Sequence, residues 1–148
     1  MANYMLDDEE IVSIESTNNK LQIYASNENL FKKKPIVILV NKNTASAAEI
    51  LAGTLKDNLN AIIIGENTYG KNSIQQIIPM SNNTGILITS FKYILPKGED
   101  IHNKGITPNI YYEQENNFYH SISKDPMIDK AKEIINRLVE NFEEDAII

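Results

Sequence analysis

Two residues on separate stretches of the 148-residue chain, Ser46 and Lys71, have types that could act together as a nucleophile and a base. A serine hydroxyl attacks a carbonyl poorly until a base takes its proton, and a neutral lysine amine can be that base. Apolar surroundings favour the neutral amine, and the strand ends around Ile64 and Tyr69 are a suitable setting for it. The pair therefore predicts acyl-transfer chemistry.

Two further groups could support this pair. Ser46 lies where a helix is predicted to begin, and the first N–H groups of a helix have no partner within it. The backbone N–H of Ala47 is therefore the expected first donor to an oxyanion. Gln75 follows Lys71 on a predicted strand, where its amide could hydrogen-bond the amine or the substrate and hold the lysine in place.

A strand–helix–strand unit is predicted to bring Ser46 and Lys71 together. Continuous apolar runs at 36–40 and 61–64 predict strands buried on both faces, and the alanine-rich stretch 45–57 predicts the helix between them. Short links in this order predict parallel strands with a right-handed crossover. Because the carboxyl ends of parallel strands share one sheet edge, where α/β proteins bind ligands, both residues are expected there.

The rest of the chain is predicted to add strands and one helix, which makes the fold class α/β. Residues 10–25 predict a hairpin or meander, and 73–80 and 85–95 predict further strands. Residues 96–108 are rich in turn-forming types, and 125–142 predict an amphipathic closing helix.

Each candidate residue also has a purely structural explanation. Ser46 and Glu49 form the pattern of a capping box, which by itself favours helix capping over catalysis. Lys71 after Gly70 could be an exposed turn lysine, and Gln75 could be a polar residue on a strand face. Spacing alone leaves these alternatives open.

A phosphate-binding loop is the second alternative, because Gly-Glu-Asn-Thr-Tyr-Gly-Lys at 65–71 matches the first seven positions of that motif. The eighth position must be Ser or Thr to reach Mg²⁺, and here it is Asn72. The motif also needs a helix next, and residues 73–79 predict a strand. Both differences argue against a nucleotide site.

Composition excludes several classes of function. The net charge of −6 argues against a nucleic-acid surface, and the short basic run at 32–34 is expected to be a solvated strand entry. The absence of cysteine excludes disulfides and thiol chemistry. His102 and His120 lie in polar stretches without partner ligands, so surface positions are expected and no metal or other cofactor is predicted.

Several motifs in order along the chain resemble those of the C-terminal processing peptidases, also called tail-specific proteases. They are Thr-Ala-Ser-Ala-Ala-Glu-Ile at 44–50, Gly-Glu-Asn-Thr-Tyr-Gly-Lys-Asn-Ser-Ile-Gln at 65–75 and Gly-Ile-Thr-Pro-Asn-Ile at 105–110, with shorter matches at 89–93 and 96–98. The resemblance implies a ClpP/crotonase-like ββα sheet-and-helix fold. It also implies three regions: a β-rich segment (1–34), the C-terminal part of a serine peptidase domain (35–142) and an acidic and apolar tail (143–148).

The resemblance assigns roles to the candidate residues. The family's nucleophile falls on Ser46, its lysine base on Lys71 and its supporting glutamine on Gln75, whereas Asp57 matches an aspartate that we interpret as structural. Ala48 and Asn72 depart from common family residues without touching this chemistry. The implied activity is a serine endopeptidase that cuts protein substrates near their C-termini.

Two family features have no counterpart in residues 1–35: a PDZ domain, and a strand ending in Asp-Leu-Arg-x-Asn-x-Gly-Gly that supplies a second oxyanion donor. The chain is therefore expected to be an incomplete catalytic domain, weakly active or inactive alone. An open sheet edge would invite pairing between copies. The resemblance places the parent protein in a bacterial cell envelope or outside the cell. A non-catalytic peptide-binding or scaffold module of the same fold is the alternative.

Overall fold

The computed structural model describes residues 1–25, 34–113 and 125–145. Their main elements, in chain order, are β1 (Glu10–Glu15), β2 (Lys20–Tyr24), β3 (Val37–Val40), α1 (Ala47–Leu59), β4 (Ile62–Gly65), β5 (Ser73–Pro79), β6 (Gly85–Ile94), β7 (Ile110–Tyr111) and α2 (Pro126–Asp145). The strands form two sheets, with the orders β3-β4-β7 and β2-β1-β6-β5.

The predicted parallel strand–helix–strand unit is confirmed. β3 pairs in parallel with β4, from Val37 opposite Ile62 to Val40 opposite Gly65, and α1 connects them. Both strands therefore end at the same edge, and the segments carrying Ser46 and Lys71 leave from it.

One strand was not predicted. The family-like motif at 105–110 predicts no strand, but β7 begins at its last residue, Ile110, and pairs in parallel with β4. The Asn109 side chain accepts a hydrogen bond from the Ile63 backbone N–H at 2.8 Å, which fixes the approach of β7. Two residues are too short to show strand periodicity, so the sequence alone gave no signal for β7.

The second sheet is antiparallel and contains the predicted hairpin of β1 and β2. β1 also pairs with β6, and the Thr54 hydroxyl of α1 donates to the Ile11 carbonyl at 2.6 Å. Val12 and Tyr93 share one buried cluster with Ala52 of α1. Residues 10–24 thus belong to the same packed body as the helix that follows Ser46, while the predicted boundary at residue 34 stays a prediction.

The prediction that the first parallel strand is buried on both faces is wrong at one position. Val37 packs with the cluster formed by Met127 and Ala131 of α2, but Leu39, two residues further along the same face, is 37% exposed. β3 is an edge strand among the described residues, and α2 covers only its first half. The amphipathic character of the closing helix is confirmed by these contacts.

Within the described residues, neither helix combines the length and the apolar character that crossing a membrane requires.

Candidate active site

Ser46 occupies a strained turn between β3 and α1. It is the N-cap residue of α1, with φ 55° and ψ −120°. A residue other than glycine pays roughly 1–3 kcal/mol for such a conformation, and strain of this kind concentrates at functional sites. The capping-box pattern predicted at Ser46 and Glu49 is present. Capping and catalysis are therefore not exclusive here, since the turn that caps the helix also sets the hydroxyl at its start.

The Glu49 carboxylate joins the segment of Ser46 to that of Lys71. Its side chain is fully buried. One oxygen accepts the Ser46 N–H at 2.9 Å and the Lys71 N–H at 3.0 Å. The other accepts the Thr68 hydroxyl at 2.5 Å and the Gly70 N–H at 2.7 Å. All four partners donate, which suits an ionised carboxylate and offsets the cost of burying its charge.

The Tyr93 hydroxyl makes a second connection between the same two residues. It lies 3.2 Å from the Ser46 carbonyl oxygen and 3.0 Å from the Lys71 carbonyl oxygen, so its single proton is shared between them. Burial, and then the negative charge of Glu49, raise the pKa of Tyr93 and keep its hydroxyl protonated. Glu49 therefore holds the N–H groups and Tyr93 the carbonyl groups of Ser46 and Lys71.

The loop before Lys71 is fixed on its other side by residues 105–106. The Thr68 hydroxyl that donates to Glu49 also accepts the Ile106 N–H at 2.6 Å. Gly105 has φ +70°, and a Cβ there would lie 2.0 Å from the Thr68 carbonyl oxygen. The resembling motif at 105–110 thus has a structural purpose, because its backbone packs directly against the loop that presents the lysine.

The Ser46 and Lys71 side chains make no direct hydrogen bond in the part of the chain described. Lys71 is exposed. The described part of the chain therefore does not supply the apolar surroundings expected for a neutral amine. Lys71 lines an open cleft of about 520 Å³ together with Asn43, Ala45, Tyr69, Gly70, Ser73, His102 and Asn103. Catalytic hydrogen bonds are often long in structures without substrate.

Gln75 is exposed on β5, opposite Thr89 of β6. A register irregularity lies between Ile74 and Gln75. Bulges of this kind redirect side chains and are common beside active sites. Gln75 makes no hydrogen bond to Lys71 among the described residues. The Ala47 N–H belongs to the first turn of α1, and Ala47 is itself exposed beside Ser46.

His102 has a structural role at the rim of the cleft. Its Nδ1 lies 2.8 Å from the Asn72 side-chain oxygen, while the Asn72 amide donates to Asp100 at 2.8 Å. The backbone N–H of His102 is the main cause of the lowered pKa of Asp100. The expected surface position is confirmed for His102, and His120 lies outside the described residues. No group of metal-ligating side chains occurs in the described ranges.

Two other sequence predictions can be checked at the site. Lys71 is followed by strand β5 and not by a helix, which is the context that argued against a phosphate-binding loop. Asp57 accepts the Lys97 N–H at 3.1 Å and so ties α1 to the turn after β6, in line with a structural role.

Sequence reasoning did not identify Glu49 and Tyr93 as residues that shape the site. The capping-box pattern marked Glu49, but only as a partner of Ser46. Its partners Thr68, Gly70 and Lys71 lie 19 to 22 residues away. The sequence pattern predicts Tyr93 only as one residue of the strand at 85–95. Local patterns carry no information on contacts over such separations, although a buried glutamate beside a candidate nucleophile is a usable signal.

Comparison with known proteins identifies the family. The sequence model of Peptidase family S41 matches residues 1–112 of this chain. The chain belongs to Peptidase family S41, and the resemblance to C-terminal processing peptidases is confirmed.

The relatives carry names of the same kind. The chain is 40% identical over 114 residues to a carboxyl-terminal-processing protease of Synechocystis sp., covering 77% of this chain and 27% of that protein. It is 33% identical over 118 residues to the carboxy-terminal processing protease CtpB of Bacillus subtilis, covering 80% of this chain and 25% of that protein. The chain spans about a quarter of the length of these relatives.

A solved structure agrees with the fold. The photosystem II D1 C-terminal processing protease superposes with a TM-score of 0.71 at 34% identity, covering 76% of this chain and 29% of that one. The chain is thus a mixed α/β protein with the architecture of an S41 peptidase.

The backbone strain at Ser46 gives a first prediction. Ser46→Gly and Ser46→Ala both remove the hydroxyl, but only glycine adopts φ 55° without strain. We expect Ser46→Gly to be more stable than Ser46→Ala by about 1 kcal/mol, since relief of strain exceeds the entropy that glycine loses on folding. Urea unfolding of both variants measures this difference. Equal stability would show that the turn is not strained.

The raised pKa of Tyr93 gives a prediction for alkaline pH. A group whose pKa is higher in the folded state stabilises the fold fully below its unfolded pKa, about 10 for tyrosine, and loses this contribution as pH rises beyond it. The free energy of unfolding should therefore fall above pH ~10 more steeply for the wild type than for Tyr93→Phe. Urea unfolding between about pH 9 and 11 checks this. Equal slopes for the wild type and Tyr93→Phe would contradict the raised pKa of Tyr93.

Proposed function

We propose that the chain is the nucleophile-bearing part of a serine endopeptidase that cuts protein substrates near their C-termini. Ser46 attacks the carbonyl carbon, Lys71 takes the serine proton and passes it to the leaving amine, and water then releases the acyl-enzyme. The observation that carries the proposal is the double connection between Ser46 and Lys71 through Glu49 and Tyr93. A fold has no evident need to fix these two residues to each other from both sides unless they act together.

The backbone N–H of Ala47 is proposed as the first oxyanion donor, supported by its place in the first turn of α1 behind the strained serine. Gln75 is proposed to orient the Lys71 amine or the substrate, supported by the irregularity in β5 beside it. The burial that Lys71 needs is proposed to come from bound substrate or from the rest of the catalytic domain. No metal or nucleotide takes part in these steps.

Incompleteness of the isolated chain is part of the proposal. The chain corresponds to about a quarter of its relatives' length, and the open edge of β3 lies where a neighbouring strand could add a second oxyanion donor. Removal of one such donor lowers rates by about 10²–10³ in other enzymes. We also propose that two copies can pair through the same edge. The fold is proposed to be ClpP/crotonase-like. The parent protein is proposed to be bacterial and to lie in the cell envelope or outside the cell.

The test uses a chimera in which this chain replaces the matching quarter of Bacillus subtilis CtpB, with peptides that have free or amidated C-termini and mass spectrometry of the products. We expect the chimera to cut near free C-termini, the Ser46→Ala chimera to be inactive, and the isolated chain to give little or no product. A folded chimera that cuts nothing would favour the non-catalytic peptide-binding module. Repeated turnover by the isolated chain would contradict the proposed incompleteness.

A further inference from the structure

β5 leaves the cleft as an unprotected sheet edge. It is the last strand in the order β2-β1-β6-β5 of the described residues, and its first residue, Ser73, lines the same cleft as Lys71. A segment that entered the cleft in an extended form would therefore continue directly alongside β5.

The outer part of this edge is apolar on both faces. Ile77 pairs with Leu87 on one face and Ile78 with Ile86 on the other. Their exposed fractions are 74% and 58% on the first face, and 46% and 46% on the second. A two-stranded ribbon with both faces in water is only marginally stable by itself. The geometry therefore favours an occupant that adds to the strand edge and contacts both faces at once.

Charge is absent from the same region. Residues 72–91 contain no Asp, Glu, Lys or Arg, although the whole chain contains 34 such residues, the sum of 14 basic and 20 acidic ones. Edge strands of soluble proteins are normally protected from pairing by charged residues, especially lysine. Gln75 to Ile78 have no such protection, which marks this edge as one that accepts another strand.

We propose that the β5 edge binds the substrate as an added β-strand: an extended, uncharged and mainly apolar peptide segment runs along residues 75–78 and enters the cleft beside Lys71. This rests on the proposed peptidase function and specifies how its substrate is held. Main-chain hydrogen bonds to β5 supply affinity, while alternate side chains meet Ile77 on one face and Ile78 on the other. Substrate segments with charges in this stretch are disfavoured.

The test measures binding of a fluorescent, uncharged, apolar ten-residue peptide to the Ser46→Ala chain by fluorescence anisotropy. A series of peptides carries one N-methyl group each, moved along the backbone. Strand addition predicts losses of about tenfold at every second position and little change between them, because only alternate N–H groups face β5. A loss without alternation, or no binding of the parent peptide, would overturn the proposal.

Two matched variants separate edge binding from docking on the sheet face. Ile77 and Leu87 are register partners on one face, but an added strand lies next to Ile77 and about 10 Å from Leu87. Ile77→Lys should weaken binding roughly fivefold and Leu87→Lys less than about twofold. Equal losses would indicate another surface packed on the face. Self-association through β5 that the peptide does not compete with would assign the edge to a second copy, and either result contradicts the proposal.

Failure of the β5 binding site and failure of the peptidase assignment would give different results. If Ser46 of the chimera reacts with a fluorophosphonate while the N-methyl series shows no alternation, the peptidase assignment holds and the β5 site is wrong. If the alternation is present without any reaction at Ser46, β5 binds peptides and the peptidase assignment fails.

Discussion

Replacing Glu49 with glutamine should lower the free energy of unfolding by about 3–5 kcal/mol, the largest loss expected from any isosteric substitution in this chain. Each carboxylate oxygen of Glu49 accepts two hydrogen bonds. Glutamine has one oxygen, so its NH₂ group must face two donors, whichever way the amide is turned. Those two donors lose their acceptor, and the Thr68 and Gly70 pair is buried.

The site should be lost together with the stability. One orientation of the amide leaves the Ser46 and Lys71 N–H groups without an acceptor, and the other leaves the Thr68 hydroxyl and the Gly70 N–H without one, so the connection is weakened in both cases. Urea unfolding at neutral pH measures the stability, and Glu99→Gln serves as the control. Glu99 is an exposed glutamate in an ion pair with Lys56 at 3.8 Å, and its substitution should cost less than about 0.5 kcal/mol. A cost for Glu49→Gln as small as that of the control would mean that Glu49 does not connect the two segments.

Gly65→Ala is expected to cost about 4 kcal/mol or more, which would leave little folded protein. Gly65 ends β4 with φ +134°, and a Cβ there would lie 1.8 Å from the Val40 carbonyl oxygen on the neighbouring strand. That oxygen belongs to paired backbone and cannot move aside without separating β3 from β4. The clash falls where one strand leads to Ser46 and the other to Lys71.

Gly98→Ala is the matched control for Gly65→Ala. Gly98 also has a positive φ, +84°, but no atom lies within 4 Å of the position of its Cβ. Its substitution therefore costs only the backbone strain, about 1–2 kcal/mol. Circular dichroism and urea unfolding of both variants give the comparison. If the two substitutions cost the same, the close approach of β3 and β4 at Gly65 is not what restricts this position to glycine.

The parts of the fold that depend on local pattern could be predicted from the sequence. The apolar runs at 36–40 and 61–64 gave the parallel strands, and their common edge placed Ser46 near Lys71. β7 and the exposure of Leu39 could not be predicted, because one is too short for periodicity and the other depends on where α2 ends its coverage of β3. Both are consequences of packing between distant segments.

Within the site too, local pattern could be predicted from the sequence and packing between distant segments could not. Residue type and spacing pointed to Ser46, Lys71, Ala47 and Gln75, and the family motifs gave these residues roles. The positive φ of Ser46 and the Tyr93 hydroxyl that joins its carbonyl to that of Lys71 arise only when segments 22 to 47 residues apart pack together. Chemistry was visible in the sequence, whereas the arrangement that could make it work was not.

The most direct test of the central claim is the reaction of a fluorophosphonate probe with the chimera, followed by mass spectrometric mapping of the adduct. We predict one adduct on Ser46 that is absent in Ser46→Ala, forms at least about 10²-fold more slowly in Lys71→Ala, and is unchanged in Ser73→Ala, a serine of the same cleft. A folded chimera with no adduct at Ser46, or one whose labelling is as fast without the lysine, would contradict the assignment of Ser46 and Lys71 as nucleophile and base.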